Sequence, residues 1–218
     1  MTSYKSFGYI EIKDHDLDEL YDNGYVLTRK KCIASKIISL RVRLRNYSPT
    51  SENRRILRKF NNKIEEISLP LNNYDWKIGK IARDFYAIKH KEESFSTNII
   101  KQLLTDPTNF LFNTLLNYEN HGYCICLKTD KLLHYAYPFY VEELWETSFG
   151  MYMMTKCIEE YHKTEIDYIY LGSVHNKKAF YKLQFRGLEW FDPIKNKWKE
   201  DLDELKSLVI SLEQHSDM

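Results

Sequence analysis

His175 and a basic run beginning at Leu40 are the residues of this 218-residue chain whose types and spacing speak first to chemistry. His175 stands three residues beyond the run "YIYLG". There its imidazole, titrating near neutrality, is placed to move a proton at the end of a strand. An unengaged surface histidine is the competing reading. The run "LRVRLRNYSPTSENRRILRKF" carries seven Arg or Lys in 21 residues, in a chain whose net charge is only +1. Across residues 24–63, twelve Lys or Arg stand against one acid, Glu52, whereas residues 1–23 hold six acids against two lysines. A local excess of that size in a near-neutral protein suits a polyanionic partner. A solvated basic face with no partner is again the alternative.

Other chemistries find less support. Cysteines fall at 32, 124, 126 and 157 with no disulfide-framework or zinc spacing. Cys124 and Cys126, two apart on a predicted strand, share a face and read as core, as does Cys157. His121 and His134 have no ligand spacing with Cys126, so no metal site is expected. The thiols read as reduced, in a cytoplasmic protein. A hydrophobic content of 43% with 15% aromatics marks an ordered chain rather than a disordered one. No run of 18 apolar residues is present, so no membrane helix is expected, and the acidic start lacks a signal peptide's apolar stretch.

The elements that must position these groups follow from periodicity. "ISLRVRLR" alternates, with Leu40, Val42 and Leu44 on one side and Arg41, Arg43 and Arg45 on the other, predicting a half-buried strand with one cationic face. "NYSPTS" supplies a turn in which Thr50 or Ser51 can cap the next helix. On that helix Arg54, Arg55, Arg58 and Lys59 share a face, leaving Ile56, Leu57 and Phe60 to pack inward. "LDELYDNGY" predicts a short helix ended by Gly24. An amphipathic helix spans 75–91 with Ile78, Ile81, Ala82, Phe85 and Ile88 as its stripe, and 95–117 reads as helical with Pro107 breaking it. "GYCICLK" and "KLLHYAYPFY" predict a hairpin. A four-turn helix from 147, the strand "YIYLG", a short helix at "NKKAFYKL", a strand at "LEWFDP" and a leucine-striped final helix complete the pattern.

A hairpin followed by helix, strand, helix and strand is the order of the GCN5-related N-acetyltransferase core. The expected fold is therefore α+β: a GCN5-like core with a mixed, mostly antiparallel sheet and flanking helices over 71–218, and a smaller basic N-terminal subdomain over 1–70. In such a fold a strand splays from its neighbour and the next helix offers its N-terminus to an anion. That points to Ser148 and Gly150, with Tyr152 beside them, as substrate-binding. Tyr170 and Gly172, at the splay, would face the reacting group, with core packing the alternative for Tyr170. The segment "ETSFGMY" has one glycine and an acid, a poor cradle for a pyrophosphate, which disfavours plain acetyl transfer.

Across both halves, the chain resembles the arginyl-tRNA–protein transferase family, including bacterial relatives that use leucyl-tRNA. The resemblance rests on "LDELYDNGYVLTR" and the basic run, then on "YPFY", "SFGMYMMTKCIEEY", "YIYLG" and "AFYKLQF", in the family's order. It covers about half the chain. The resemblance implies transfer of an aminoacyl group from charged tRNA to the α-amino group of an acidic protein or peptide N-terminus. The partners would be tRNA and the acceptor chain. No cofactor is implied beyond the aminoacyl-tRNA donor. Tyr181 and Lys182 match the family's Tyr-Lys pair, and Lys182 would meet an acceptor carboxylate or the terminal phosphate. Arg41, Arg43, Arg45, Arg54, Arg55, Arg58 and Lys59 become tRNA phosphate contacts, and Tyr170, His175 and Lys182 the catalytic candidates. A tRNA acceptor arm is read through phosphates and shape, with unpaired bases stacking on aromatics. An aminoacyl ester is already activated, so no covalent nucleophile is needed.

Three positions depart from the family's pattern. Cys32 stands alone where the family clusters cysteines, Val141 follows "YPFY" in place of an Asp-Pro, and the link from Gly172 to Tyr181 is shorter. The alternatives are an acyl-CoA-dependent N-acyltransferase and an RNA-binding relative without catalysis. The donor amino acid, the acceptor rule and the oligomeric state are left open.

Overall fold

The structure is a computed structural model that describes residues 6–13, 15–28, 33–89, 91, 95–108 and 111–214. Cys32 lies outside the described residues. The architecture is α+β, with mostly antiparallel strands and helices beside them. The chain divides into two compact units, Met1–Thr50 with Thr129–Leu132 and Glu165–Met218, and Ser51–Lys128 with Leu133–Thr164. The division expected at residue 70 is therefore displaced. Residues before 50 join the C-terminal segment because a strand there is bonded on both sides by C-terminal strands.

That strand is β4 (Ser39–Arg43), which pairs antiparallel with β9 (Tyr168–Ser173) and β10 (Leu188–Asp192); β10 in turn pairs with β11 (Lys197–Lys199). The same unit holds a small antiparallel sheet in the order β1 (Gly8–Glu11), β3 (Ile33–Lys36), β2 (Tyr25–Leu27). Helix α1 (Leu17–Asp22) begins where the Asp16 side chain accepts from the Glu19 amide. It ends at Gly24, whose φ of +76° suits glycine, and a Cβ there would meet the Phe191 ring at 2.1 Å. Leu40, Val42, Ile169, Leu188 and Trp190 form the core, with Leu205 and Val209 of α6 (Leu202–Gln214).

Alternation on β4 predicts a cationic face open to solvent, and the structure differs. Arg41 is 4% exposed and stands directly opposite Glu189 in the β4–β10 ladder. Its Nε donates to Glu189 Oε2 at 2.7 Å, and its Nη1 to Asp22 Oδ1 at 2.6 Å and to the Tyr170 hydroxyl at 3.1 Å. The guanidinium lies 4.0 Å from the Tyr168 ring centroid and 3.8 Å from that of Trp198. Burial alone would weaken its charge. Contact with Tyr170, Glu189 and Asp22 more than offsets this, and its pKa is raised. Arg43 pairs with the other oxygen of Glu189 at 2.6 Å. Arg41 is engaged inside the protein, because two acids and three aromatic rings surround it, while Arg43 is part exposed and shares Glu189 with it.

The second unit is an antiparallel run β5 (Glu65–Ser68), β6 (Thr114–Asn117), β7 (Gly122–Lys128), β8 (Leu132–Tyr140). The hairpin is as expected. The helix expected over 95–117 is shorter, α4 (Thr97–Thr105), and its last residues form β6. The "TLLN" segment is buried on both faces, so it shows none of the alternation that marks a half-exposed strand. Helix α3 (Trp76–Asp84) gives way to a wider turn at Phe85–Lys89, which leaves Ile88 59% exposed rather than in the stripe. Helix α5 (Phe149–Tyr161) is the four-turn helix, held to the sheet by Phe149, Met153 and Ile158 and by the Tyr118 hydroxyl donating to the Met153 carbonyl at 2.9 Å.

Removing Glu189's charge leaves Arg41 and Arg43 without their shared carboxylate. Breaking a buried ion pair from one side costs about 3–5 kcal/mol. Glu189→Gln is therefore expected to lower the unfolding free energy by that amount, as measured by urea unfolding, and an unchanged value would contradict the account.

Candidate functional site

Strand β9 carries an irregularity on which the candidate site is built. Opposite β4, Leu40 faces Gly172 and Arg41 faces Tyr170, so Leu171 has no counterpart and the strand bulges. Gly172 accommodates the bulge with φ of +73°, a region that favours glycine. The Leu171 carbonyl is met by the ammonium of Lys182, whose Nζ donates to it at 2.8 Å and to the Ser173 carbonyl at 3.1 Å. Lys182 reaches the bulge from the 3-10 turn Lys177–Gln184, the short helix expected at "NKKAFYKL".

Lys182 has no carboxylate partner among the described residues, and burial pulls its pKa from 10.5 down to about 8. His175, two residues past the end of β9, approaches Ser173 Oγ with its Nδ1 at 3.3 Å. Burial, aided by the Lys182 charge and opposed by Glu213, lowers its pKa below the ordinary 6.5. The imidazole is therefore neutral at physiological pH and able to accept a proton. Two of the sequence's candidates, His175 and Lys182, thus meet at a third, Gly172. Tyr181 joins them on the turn with its ring half exposed. The role of Ser173 was not legible, since nothing in a lone serine signals a histidine two residues on.

Tyr170 is a correction. It is 1% exposed, its hydroxyl accepts from Arg41, and its ring lies edge-on to Tyr21 at 4.8 Å. Burial raises its pKa well beyond the usual phenol value despite the neighbouring Arg41. Two residues before Gly172 on an alternating strand, it faces the Arg41 cluster and is not placed to meet an ester.

In the second unit, α2 (Ser51–Leu57) packs on α5 through buried Ile56, and Phe60 lies 5.1 Å from the rings of both Phe149 and Tyr152. Arg54, Arg55, Arg58 and Lys59 lie toward solvent, as expected. Arg55 is paired with Glu52 at 2.5 Å, and Lys59 Nζ donates to Ser148 Oγ at 3.1 Å, so a cation stands at the first turn of α5. Gly150 admits the Tyr140 ring, whose hydroxyl would lie 3.1 Å from an added Cβ. Tyr152 is a second correction, because it is buried and donates its hydroxyl to the Asn62 carbonyl at 2.7 Å. Arg45 is exposed and lies in the other unit. Arg41, buried against Glu189, is not available to a phosphate, while Arg43 shares that carboxylate and is 24% exposed.

Cys124, Cys126 and Cys157 are buried free thiols, as expected for core, and burial raises the pKa of Cys124 and Cys157. Among the described residues no cluster of His, Cys, Asp or Glu is arranged to hold a metal, and no helix is long and apolar enough to cross a membrane.

By sequence, no protein family and no curated protein matches the chain. Among solved structures it is similar to L-PGS from Bacillus licheniformis, with a TM-score of 0.46 at 11% identity, covering 94% of this chain and 71% of that one. It is also similar to a functionally unknown conserved protein from Staphylococcus epidermidis, with a TM-score of 0.39 at 15% identity, covering 85% and 69%.

The Lys182 shift has a signed consequence. Below pH 8 the ammonium is present in both folded and unfolded chains. Between about 8 and 10.5 the unfolded chain holds the proton that the folded one has released, so stability from this group rises with pH. Comparing unfolding free energies of wild type and Lys182→Met should show the difference moving toward wild type between pH 7.5 and 10, by no more than about 3 kcal/mol. A constant difference would place Lys182 in water.

Proposed function

We propose that the chain transfers an aminoacyl group from charged tRNA to the α-amino group of a protein or peptide N-terminus. Arginine is the expected donor residue and an acidic residue the expected acceptor. The observation that carries this reading is the meeting, at the Gly172 bulge, of a neutral imidazole with an ammonium whose pKa is about 8. An α-amine of pKa roughly 8 must lose its proton to attack an ester. His175 takes that proton. The nitrogen bonds to the carbonyl carbon, the C–O ester bond breaks, and the 3′ oxygen of the tRNA leaves as a hydroxyl with the proton returned.

Lys182, still cationic at neutral pH, balances either the tetrahedral oxyanion or an acceptor carboxylate. Tyr181 is exposed beside it for substrate contact, and Ser148 and Gly150 open α5 where Lys59 stands. Arg54, Arg55, Arg58 and Lys59, with Arg45, serve the phosphates. The activated ester needs no metal or cofactor, and the cytoplasm, where thiols stay reduced, is the proposed compartment.

The test is direct. With arginyl- or leucyl-tRNA and a peptide beginning in Asp or Glu, the peptide should gain one aminoacyl residue by mass. No gain with any charged tRNA, or gain with acetyl-CoA instead, overturns the reading. His175→Ala should lower the transfer rate about 100-fold or more with the fold unchanged by circular dichroism. Replacing Arg54 and Arg58 with Glu should weaken tRNA binding and reduce the slope of log affinity against log salt by about one for each phosphate no longer held.

A further inference from the structure

A cleft of about 350 Å³ opens in the second unit, beside β6 and the start of α3. Its polar wall is made of amides and one carboxylate: Asn72, Asn73, Asn117 and Asn120, with Asp75 and the Tyr123 hydroxyl. Ile67, Leu71 and Ile78 add an aliphatic surface, and among the described residues no lysine or arginine lines it.

Part of this wall is built rather than loose. The Asn120 amide N–H donates to Asn117 Oδ1 at 2.8 Å, Asn117 Nδ2 donates to Glu65 Oε2 at 3.1 Å, and the Tyr123 hydroxyl donates to Asn120 Oδ1 at 3.1 Å. Asn120 has φ of +63°, a conformation that asparagine tolerates in a tight turn. The Asp75 carboxylate is oriented by its role as the cap of α3, where Oδ1 accepts from the Lys77 amide at 2.9 Å. The field is negative at this wall: burial, and then the charges of Asp75 and Glu65, push the Tyr123 phenol above its ordinary pKa.

A volume of this size is in the range of small-ligand clefts. An anion would enter against Asp75 and Glu65 with no countercharge in the lining. A bare ammonium would satisfy one carboxylate but leave the Asn72 and Asn73 carbonyls to water. A planar cation with several N–H donors matches a carboxylate flanked by amide oxygens, and its flat face suits an aliphatic surface.

We propose that this cleft binds a compact guanidinium-bearing ligand, with the cation between the Asp75 carboxylate and the side-chain carbonyls of Asn72 and Asn73 and its flat face against Ile67 and Ile78. The site involves neither tRNA nor an acceptor peptide, so it stands or falls independently of aminoacyl transfer.

Titrating the intact protein with agmatine and with arginine, followed by amide-resolved NMR, is expected to give saturable shifts at Asn120, Tyr123 and Asp75. Butylamine, leucine, glutamate and AMP should give none at matched concentration. Asp75→Asn, which keeps an N-cap while removing the charge, should weaken agmatine about tenfold, the worth of one charge-assisted hydrogen bond. Asn73→Ala, in an exposed loop where folding is not at risk, should also weaken it. Absence of saturable shifts, equal binding of butylamine or glutamate, or full affinity in both variants overturns the proposal.

Discussion

Arg41 and Glu189 face each other across the β4–β10 ladder with almost no solvent on either, and the first unit is organised around that pair. A buried guanidinium is tolerated only when its donors are matched, and here a carboxylate, a phenol and a second acid do so between two aromatic rings. The cost of misplacing it is what makes the pair informative. A slip of one residue in either ladder would turn Arg41 to the opposite face, away from both acids. The charge pair therefore holds the register of β4 against β10 on one side and β9 on the other.

That register reaches the candidate site within two residues. With Arg41 held opposite Tyr170, the leftover residue of β9 falls at Leu171, and Gly172 turns the chain so that two carbonyls come to Lys182. Burial strips the Lys182 ammonium of water, and with no carboxylate beside it among the described residues to offset that cost its pKa falls to about 8. His175 sits in the same partly dry surroundings, and the neighbouring cation helps to keep it neutral. Tyr170, on β9, and Lys182, on the 3-10 turn that reaches the end of that strand, meet opposite fates. The phenol is committed to stabilising Arg41, while the amine stays at the end of the strand.

The second unit separates its charges in a different way. Its basic residues lie on α2 and just beyond it, toward solvent, while Ile56 and Phe60 anchor that segment to α5. Its acids and amides gather at the cleft by β6, so cation-rich and cation-poor surfaces occur within one compact body. Charge count along the sequence reports the first of these, and only folding assembles the second from residues 67 to 123.

Much of the local structure was legible because local forces set it. Asp16, Gly24 and the apolar spacing of α1, the two apolar runs of β7 and β8 around a short polar turn, and the stripe of α5 each follow from steric and burial rules acting within one element. The positions of His175, Gly172 and Lys182 relative to a strand end were legible for the same reason. The sequence could not distinguish Arg41 from Arg54, nor tell "TLLN" from a helical segment, because burial on both faces erases the periodic signal. Those outcomes belong to tertiary structure: an arginine binds outward or inward according to which acids and rings another part of the chain brings opposite it. Sequence alone determined where charge and turns fall. The pairing of β4 with strands more than a hundred residues away decided which of those charges face solvent and which hold the fold.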